Sequence, residues 1–187
     1  MISVIIATLD SERALARTLA ALVPGVVDGL VREAIIADGG SRDDTAVVAD
    51  VAGCTFITVE GSLGRRLKTA AAKVRAPFLL FVRPGVVLDA GWIGEARQFA
   101  ERSSPDRAAV FRRGAAEQST FRELATLLAS SLGALPGPDQ GLLISRQFYD
   151  TLGGHAEEAA DPERGLIRRI GRRRLVTLGA SAGKILD

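Results

Sequence analysis

The chain has 187 residues, of which 47% are hydrophobic and 25% are charged, and its net charge is +2. That length suits one domain with a substantial core, so we expect a single domain over residues 1–187. The small net charge gives no whole-molecule field that would favour nucleic acid as a partner. One cysteine excludes an internal disulfide and fits a reducing compartment. Since no signal-peptide pattern or membrane-length apolar run is present, we expect a cytoplasmic protein.

Strand and helix patterns alternate through the first half of the chain. Four short apolar runs, rich in β-branched residues, predict strands covered on both faces. They are residues 2–8, 31–37, 55–59 and the run that begins at Phe78. The helical patterns between them run from a cap at Asp10 or Ser11 to Pro24, from Ser41 to Gly53, and from Leu63 to Val74. This alternation predicts a parallel sheet with helices on both faces, and a nucleotide-binding half at residues 1–89.

The second half is less regular, and we expect residues 90–187 to complete the site as an acceptor-side half. Its patterns predict helices over 92–100, from Thr120 to Leu132 and over 145–152, and strands over 108–111, 141–144 and 173–178.

Ligands of open α/β sheets bind beyond the carboxyl ends of the strands. Three loops meet at that edge: residues 8–11, 38–41 and 83–86. Asp38 ends a buried strand beside Gly39 and Gly40, so its carboxylate can accept hydrogen bonds from a base or ribose while the glycines permit close approach. Asp-Gly turns are also common, and an Asp38 that only caps the turn is an equal alternative.

Several other signatures are absent from the sequence. Gly39-Gly40 lacks the third glycine of the dinucleotide fingerprint, and Leu67 replaces the glycine that must precede the lysine of a P-loop. The single histidine, His155, excludes a multi-histidine metal site. These observations argue against typical dehydrogenases, P-loop kinases and zinc hydrolases.

Three ordered segments resemble a family 2 glycosyltransferase of the GT-A fold: ISVIIATLDSE, IIADGGSRDDT and GRRLKTAAAKVRAPFLLFVRPGV. The pattern is most similar to a small bacterial subgroup associated with radical-SAM and selenium-domain proteins. The segment PDQGLLISRQFYDTLGG, in the second half of this chain, also resembles that subgroup. The resemblance extends to about Arg174. It implies a three-layer α/β/α sandwich with a mostly parallel sheet, and inverting transfer of a sugar from a nucleoside-diphosphate sugar to a hydroxyl acceptor. The alternative is an unrelated doubly wound nucleotide binder.

The resemblance also implies roles for individual residues. The nucleotide-sugar-binding residues would be Thr8, Asp10, Asp38, Gly39, Gly40, Arg65 and Lys68. Asp139 and Gln140 match the acceptor-side loop.

The sequence departs from the family pattern at the end of the fourth strand. Family members carry an Asp-x-Asp-like element there, which helps to hold Mn²⁺ or Mg²⁺ against the diphosphate. This chain has Arg83-Pro84-Gly85, which predicts no metal ligands. Arg83, with Arg65 or Lys68, is one source of the positive charge that a departing diphosphate needs. The alternative is a catalytically inactive module, with Arg83 solvated, that binds a nucleotide or a protein partner.

The catalytic base is the second departure. Inverting members use a carboxylate ahead of a helix to deprotonate the acceptor hydroxyl, and an ungapped match places Ala159-Ala160 at that position. Asp161 is then the first candidate base and Glu158 the second. Both residues also suit the first turn of a helix, where negative charge is favoured.

Six arginines crowd one segment near the C-terminus: Arg164, Arg168, Arg169, Arg172, Arg173 and Arg174. Such a cluster forms a solvated helix face, a surface for a phosphate-rich ligand, or a peripheral contact with an anionic membrane.

Overall fold

The computed structural model of the protein describes residues 1–114 and 135–184. The predicted helix from Thr120 to Leu132 lies outside those residues. The strands are β1 (Ile2–Thr8), β2 (Val31–Asp38), β3 (Thr55–Thr58), β4 (Phe78–Phe81), β5 (Val86–Leu88), β6 (Ala108–Arg113), β7 (Leu142–Ser145) and β8 (Leu175–Lys184). The α-helices are α1 (Glu12–Val27), α2 (Thr45–Val51), α3 (Leu63–Lys73), α4 (Trp92–Arg102), α5 (Arg146–Thr151) and α6 (Pro162–Ile170).

The strands form one sheet in the order β3-β2-β1-β4-β7-β6-β8-β5. The pairs β1–β2, β1–β4, β2–β3 and β6–β8 are parallel, and the other three pairs are antiparallel. Because β7 runs against both β4 and β6, the strands β6 and β8 point the same way as β1 and β4. The carboxyl ends of β1, β2, β4 and β8 therefore share one edge of the sheet with the amino end of β7.

Helices cover both faces of this sheet, and each face has its own core. Side chains alternate across a strand, so Val4 and Ile6 pack on one face while Ile5 packs on the other. The first core is covered by α1, α2 and α4, and the second by α3, α5 and α6. This arrangement confirms the α/β class and the three-layer sandwich that the sequence predicted.

Two strands differ from the sequence-based expectation. The last strand was expected over 173–178, but it begins at Leu175 and continues to Lys184. Its second part, Gly179 to Lys184, contains small residues that hide a strand pattern, because glycine and alanine are poor strand formers. The short strand β5 pairs with that part and was not predicted either.

The first core is closely packed where α1 meets α4. The indole ring of Trp92 is 1% exposed, and a Cβ atom on Gly25 would overlap it. Helix α1 also runs through Pro24, which the sequence predicted to lie near its end, and stops at Val27. The absence of a side chain at position 25 is thus what allows the largest ring of this core to reach the α1 backbone.

We therefore predict that Gly25→Ala destabilises the protein by about 1–3 kcal/mol, because the added methyl group forces the buried indole out of its position. Urea unfolding monitored by the fluorescence of Trp92, the single tryptophan, measures the change. Gly94→Ala on exposed α4 surface is the control. Its Cβ meets nothing within 4 Å, so it should stabilise the helix by about 0.5–1 kcal/mol. Equal midpoints for the two variants would contradict this account.

Candidate functional site

A cleft of about 450 Å³ opens at the carboxyl edge of the sheet, between the loops that follow β1 and β4. Its lining comprises Ala7, Thr8, Leu9, Asp10, Ser11, Ala14, Leu63, Arg66, Arg83, Pro84, Gly85 and Lys184. A second concavity, of about 520 Å³, lies between α4 and the amino end of β8, at the opposite edge. Ligands of such sheets bind where parallel strands end, so the first cleft is the candidate site.

Asp38 organises the loops beneath the cleft. Its side chain is buried and accepts hydrogen bonds from the Thr8 hydroxyl (2.8 Å) and the Ser41 hydroxyl on Oδ1. Oδ2 accepts from the backbone amides of Gly40 and Ser41, each at 2.7 Å. Burial alone would raise the pKa of Asp38, but these hydrogen bonds together lower it below its usual value. The geometry is that of a turn cap, and the contact with a nucleobase or ribose stays a prediction.

The loop after β1 is fastened to the loop after β2. Asp10 has a left-handed backbone (φ 47°), a conformation that aspartate tolerates better than most residues. Its amide donates to the Ser41 hydroxyl (2.8 Å), and its carboxylate accepts from the Arg42 amide (2.7 Å). Asp10 and Thr8 both line the cleft, and their binding of a nucleotide sugar stays a prediction.

Arg66 is the cation that α3 turns toward the cleft. Its Nη1 donates to the carbonyl oxygen of Thr8 at 2.6 Å, and its buried Nε has no hydrogen-bond partner within residues 1–114 and 135–184. A Cβ on Gly39 would overlap Nη1, so the glycine leaves room for this guanidinium. Sequence reasoning missed Arg66, although its spacing from Leu63 and Ala70 places it on the inner side of the helix.

The two cations chosen from the sequence on α3 point elsewhere. Arg65 and Lys68 lie on its outer side, where both pair with Glu157, at 3.4 Å and 3.2 Å. Neither residue lines the cleft. Gly39 and Gly40 are also outside the lining and shape the turn around Asp38 instead.

Arg83 follows β4 and is held by acidic side chains. Its Nε donates to Oε2 of Glu163 at 2.7 Å, and its Nη2 donates to the same oxygen. Its Nη1 lies 3.6 Å from Oδ1 of Asp139. The Arg83 side chain is 34% exposed and that of Glu163 is 11% exposed. Arg83 therefore stands in the cleft wall as a partly neutralised cation.

Burial and mutual charge shift the pKa values of both Arg83 and Glu163. Burial raises the pKa of the Glu163 carboxyl, and the hydrogen bond and charge of Arg83 offset only part of that effect. Burial would lower the pKa of Arg83, but the bonds to Glu163 and the negative charges of Glu163, Asp139 and Asp161 raise it further. Arg83 is thus charged at every accessible pH.

Glu163 was missed because the sequence match favoured its neighbours. Leu166, Ile167 and Ile170 form the buried stripe of α6, and residue 163 stands three and four positions before the first two. Helical spacing alone thus places Glu163 on the inner face of α6.

The predicted base candidates occupy the start of α6. Asp161 is the N-cap, and its carboxylate accepts from the Arg164 amide at 3.0 Å. Glu158 is exposed in the preceding loop.

Of the acceptor-side pair, Gln140 is buried and bridges the Phe111 carbonyl (2.8 Å) and the Gly137 amide (3.0 Å), whereas Asp139 faces Arg83.

The loop before α6 is locked to the start of α3. A Cβ on Gly64 would overlap the carbonyl group of Ala156, and the Ser62 hydroxyl donates to the carbonyl of Glu157. His155 fills the space below, with its ring 4.7 Å from that of Phe81 and its Nδ1 2.9 Å from the Tyr149 hydroxyl. Burial, with the charge of Arg169, lowers the pKa of His155 to about 3, so it is a neutral packing residue.

The residues at this edge do not fit a divalent metal. Within residues 1–114 and 135–184, no group of three or more His, Cys, Asp or Glu side chains is placed to hold an ion. The carboxylates nearest to position 83 face its guanidinium instead.

The arginine-rich segment is partly structural. Arg169 donates to the carbonyls of Leu152 and Gly154, and Arg174 donates to that of Ile170. Arg168, Arg172 and Arg173 are exposed. In the described part of the chain, no helix is both long and apolar enough to span a bilayer.

Comparison with known proteins identifies a matching family and similar solved structures. Residues 3–159 match glycosyl transferase family 2. A 90-residue segment is 34% identical to glucosyl-3-phosphoglycerate synthase of Mycolicibacterium paratuberculosis, and it covers 43% of this chain but only 27% of that relative. The structure superimposes on glucosyl-3-phosphoglycerate synthase from Mycobacterium tuberculosis in complex with phosphoglyceric acid. The TM-score is 0.73 at 21% identity, over 100% of this chain and 72% of that one.

The same enzyme bound to Mn²⁺, UDP-glucose and phosphoglyceric acid gives the same values. These likenesses show a common fold of the GT-A type.

We predict that Asp38→Asn lowers the free energy of unfolding by about 1–3 kcal/mol at pH 7, because an amide group replaces an acceptor of two backbone N–H groups. The folded pKa of Asp38 is lowered, so its ionised form stabilises the fold above the unfolded pKa near 3.8. That contribution is lost as the pH falls through the folded value. Urea unfolding should therefore show the same difference from wild type at pH 7 and pH 5, and a smaller difference once the pH falls below about 3.8. Exposed Asp106→Asn is the control, and a pH-independent deficit would refute the assignment.

We also predict that Gly39→Ala folds with nearly wild-type stability, since the added methyl group meets the mobile end of Arg66. The guanidinium must leave the Thr8 carbonyl, and anion binding in the cleft should weaken by about tenfold, the equivalent of one hydrogen bond to a charged group. Titration calorimetry with a nucleoside diphosphate measures the effect. Unchanged affinity in a folded variant would show that the position of Arg66 is irrelevant to binding.

Proposed function

The chain belongs to glycosyl transferase family 2, and from that premise we propose that it transfers a sugar from a nucleoside-diphosphate sugar to a hydroxyl acceptor. The observation that supports this most strongly is the cleft at the carboxyl ends of β1 and β4, whose lining includes three basic side chains. A concave site with convergent charged groups at this edge suits a diphosphate ligand.

The donor proposed for a first test is a uridine-diphosphate sugar. Structurally similar enzymes of about 21% identity are described in complexes with UDP-glucose, UDP and phosphoglyceric acid. The cleft of this chain has the preformed loops of Thr8 and Asp10 on one side and Arg83 on the other. We propose that the nucleotide lies between them, with Asp139 on the acceptor side.

Transfer with inversion also requires a base for the acceptor hydroxyl. Asp161 remains the first proposed base, since its charge reaches Arg83 and Glu163, and Glu158 the second. We retain the radical-SAM-associated subgroup as the proposed relationship within the family, on the order of its motifs.

A catalytically inactive module is the second candidate function, and the state of the site favours it in one respect. Both carboxylate oxygens of Asp38 already accept hydrogen bonds from protein groups, and Arg83 is paired with Glu163. A domain of this kind would bind a nucleotide or a protein partner without turning over a sugar.

The two functions separate in one experiment. Thermal unfolding with a panel of nucleoside-diphosphate sugars should show a rise in Tm with the correct nucleotide, equivalent to about 2.7 kcal/mol at a concentration of 100 times Kd. Chromatography of the mixtures then detects free nucleoside diphosphate and sugar. Binding with slow donor hydrolysis supports the transferase, binding without hydrolysis supports the inactive module, and no shift with any nucleotide contradicts both.

A matched pair of variants locates the binding. Ala14 on α1 lines the cleft, so Ala14→Trp should fill it and abolish the nucleotide-dependent shift. Ala20→Trp places the same side chain on the exposed face of the same helix and should retain the shift. A shift that survives Ala14→Trp would move the binding site elsewhere.

A further inference from the structure

We propose that this chain binds the donor diphosphate with three cations that line the cleft, Arg66, Arg83 and Lys184, and without a divalent metal. This inference rests on the proposed function and specifies how the cleft handles phosphate charge. Sequence reasoning considered Arg83 with Arg65 or Lys68. The structure brings a different set together.

The three cations reach the cleft from separate elements. Arg66 comes from the first turns of α3, Arg83 from the end of β4, and Lys184 from the end of β8. Lys184 is there because β8 runs parallel to β6 and pairs with β5 up to Lys184 itself, opposite Val86. Cations on different sides of one concave site attract an anion more strongly than the same charges spread over a convex surface.

Arg83 keeps free donors while it is held in place. A guanidinium has five N–H groups, and the Glu163 oxygen takes one from Nε and one from Nη2. Asp139 stands 3.6 Å from Nη1, beyond hydrogen-bond distance. Arg83 makes no other side-chain hydrogen bond in the described part of the chain, so three N–H groups remain for a ligand. Glu163 is a positioning residue here, because it fixes the direction of the guanidinium without touching the substrate.

Arg66 also has donor capacity left. Only its Nη1 is engaged, by the Thr8 carbonyl, and its buried Nε has no partner among the described residues. A buried donor without an acceptor is costly, and a phosphate oxygen is a strong acceptor for guanidinium. An anion in the cleft would accept hydrogen bonds from the Nη N–H groups of Arg66 that the Thr8 carbonyl leaves unused.

The acidic side chains beside Arg83 also favour binding without a divalent metal. A divalent cation needs several oxygen ligands, yet Glu163 and Asp139 face the positive charge of Arg83, which would repel a metal from the same carboxylates. The cationic group of the protein stands where the family pattern has its carboxylates.

The chemical role of the three cations is electrostatic. In transfer, the bond between the anomeric carbon and the diphosphate oxygen breaks, and its electron pair leaves on that oxygen. The acceptor oxygen bonds to the anomeric carbon, and its proton passes to the carboxylate base. The departing nucleoside diphosphate gains negative charge, which Arg66, Arg83 and Lys184 would stabilise from the lining of the cleft.

Titration calorimetry with UDP, or with whichever nucleoside diphosphate the thermal screen identifies, tests the inference. The full chain should bind with the same Kd, within about twofold, in EDTA and in millimolar Mn²⁺. Lys184→Ala and Arg83→Ala should each weaken binding by about tenfold or more, the effect of one charge-assisted contact. Arg65→Ala removes an arginine that faces Glu157 outside the cleft and should bind like wild type.

Further variants distinguish the positioning of Arg83 by Glu163 from a general loss of folding. Lys184 is exposed at a strand end, so its variant tests the idea even if Arg83→Ala fails to fold. Glu163→Ala should weaken binding because Arg83 loses its anchor. Glu163→Gln retains an acceptor and should bind at least as tightly as wild type. Loss of binding in Glu163→Gln would contradict the positioning role.

The failures of the two proposals differ. Binding that requires Mn²⁺, or that survives both Lys184→Ala and Arg83→Ala, overturns the metal-free site but leaves the nucleotide-sugar function intact. Absence of binding by any nucleoside diphosphate under both conditions overturns the proposed function and this inference together.

Discussion

A single buried carboxylate sets the shape of the candidate site. Asp38 ends β2, and its four hydrogen bonds tie the end of β1 to the loop that follows β2. An ionised group can be buried at this depth only when its acceptors are filled, so the two loops are held in one arrangement. The Thr8 carbonyl is thereby presented to Arg66, and the floor of the cleft exists without a ligand. Preorganisation of this kind lowers the entropy cost of binding.

The second determinant is the ion pair between the sheet edge and α6. Arg83 and Glu163 are 80 positions apart in the sequence, and their contact brings the second half of the chain against the nucleotide-binding half. Removing either partner of such a pair leaves a poorly solvated charge, whereas the intact pair adds little net stability. The main effect of the pair is therefore to orient the Arg83 guanidinium, and its contribution to stability is small. The cleft owes its electrostatic character to that orientation.

Much of the fold could be predicted from the sequence, because its first strands are continuous apolar runs and its helices carry apolar residues at helical spacing. The limits are physical. Small residues concealed the end of β8, so Lys184 was missed, and two adjacent arginines on α3 differ by 100° in direction, so Arg65 was chosen where Arg66 faces the cleft. Glu163 was overlooked for Asp161, although the buried stripe of α6 contains it. Long-range pairings such as Arg83 with Glu163 leave no local signal in the sequence.

The close approach at Gly64 has a mechanical consequence. With no side chain at that position, α3 touches the backbone of the loop that leads into α6, and Ser62 bonds to the same loop. The helix that carries Arg66 and the helix that carries Glu163 are thus joined at their bases. A movement of α3 that opens or narrows the cleft would therefore also displace the loop that leads into α6.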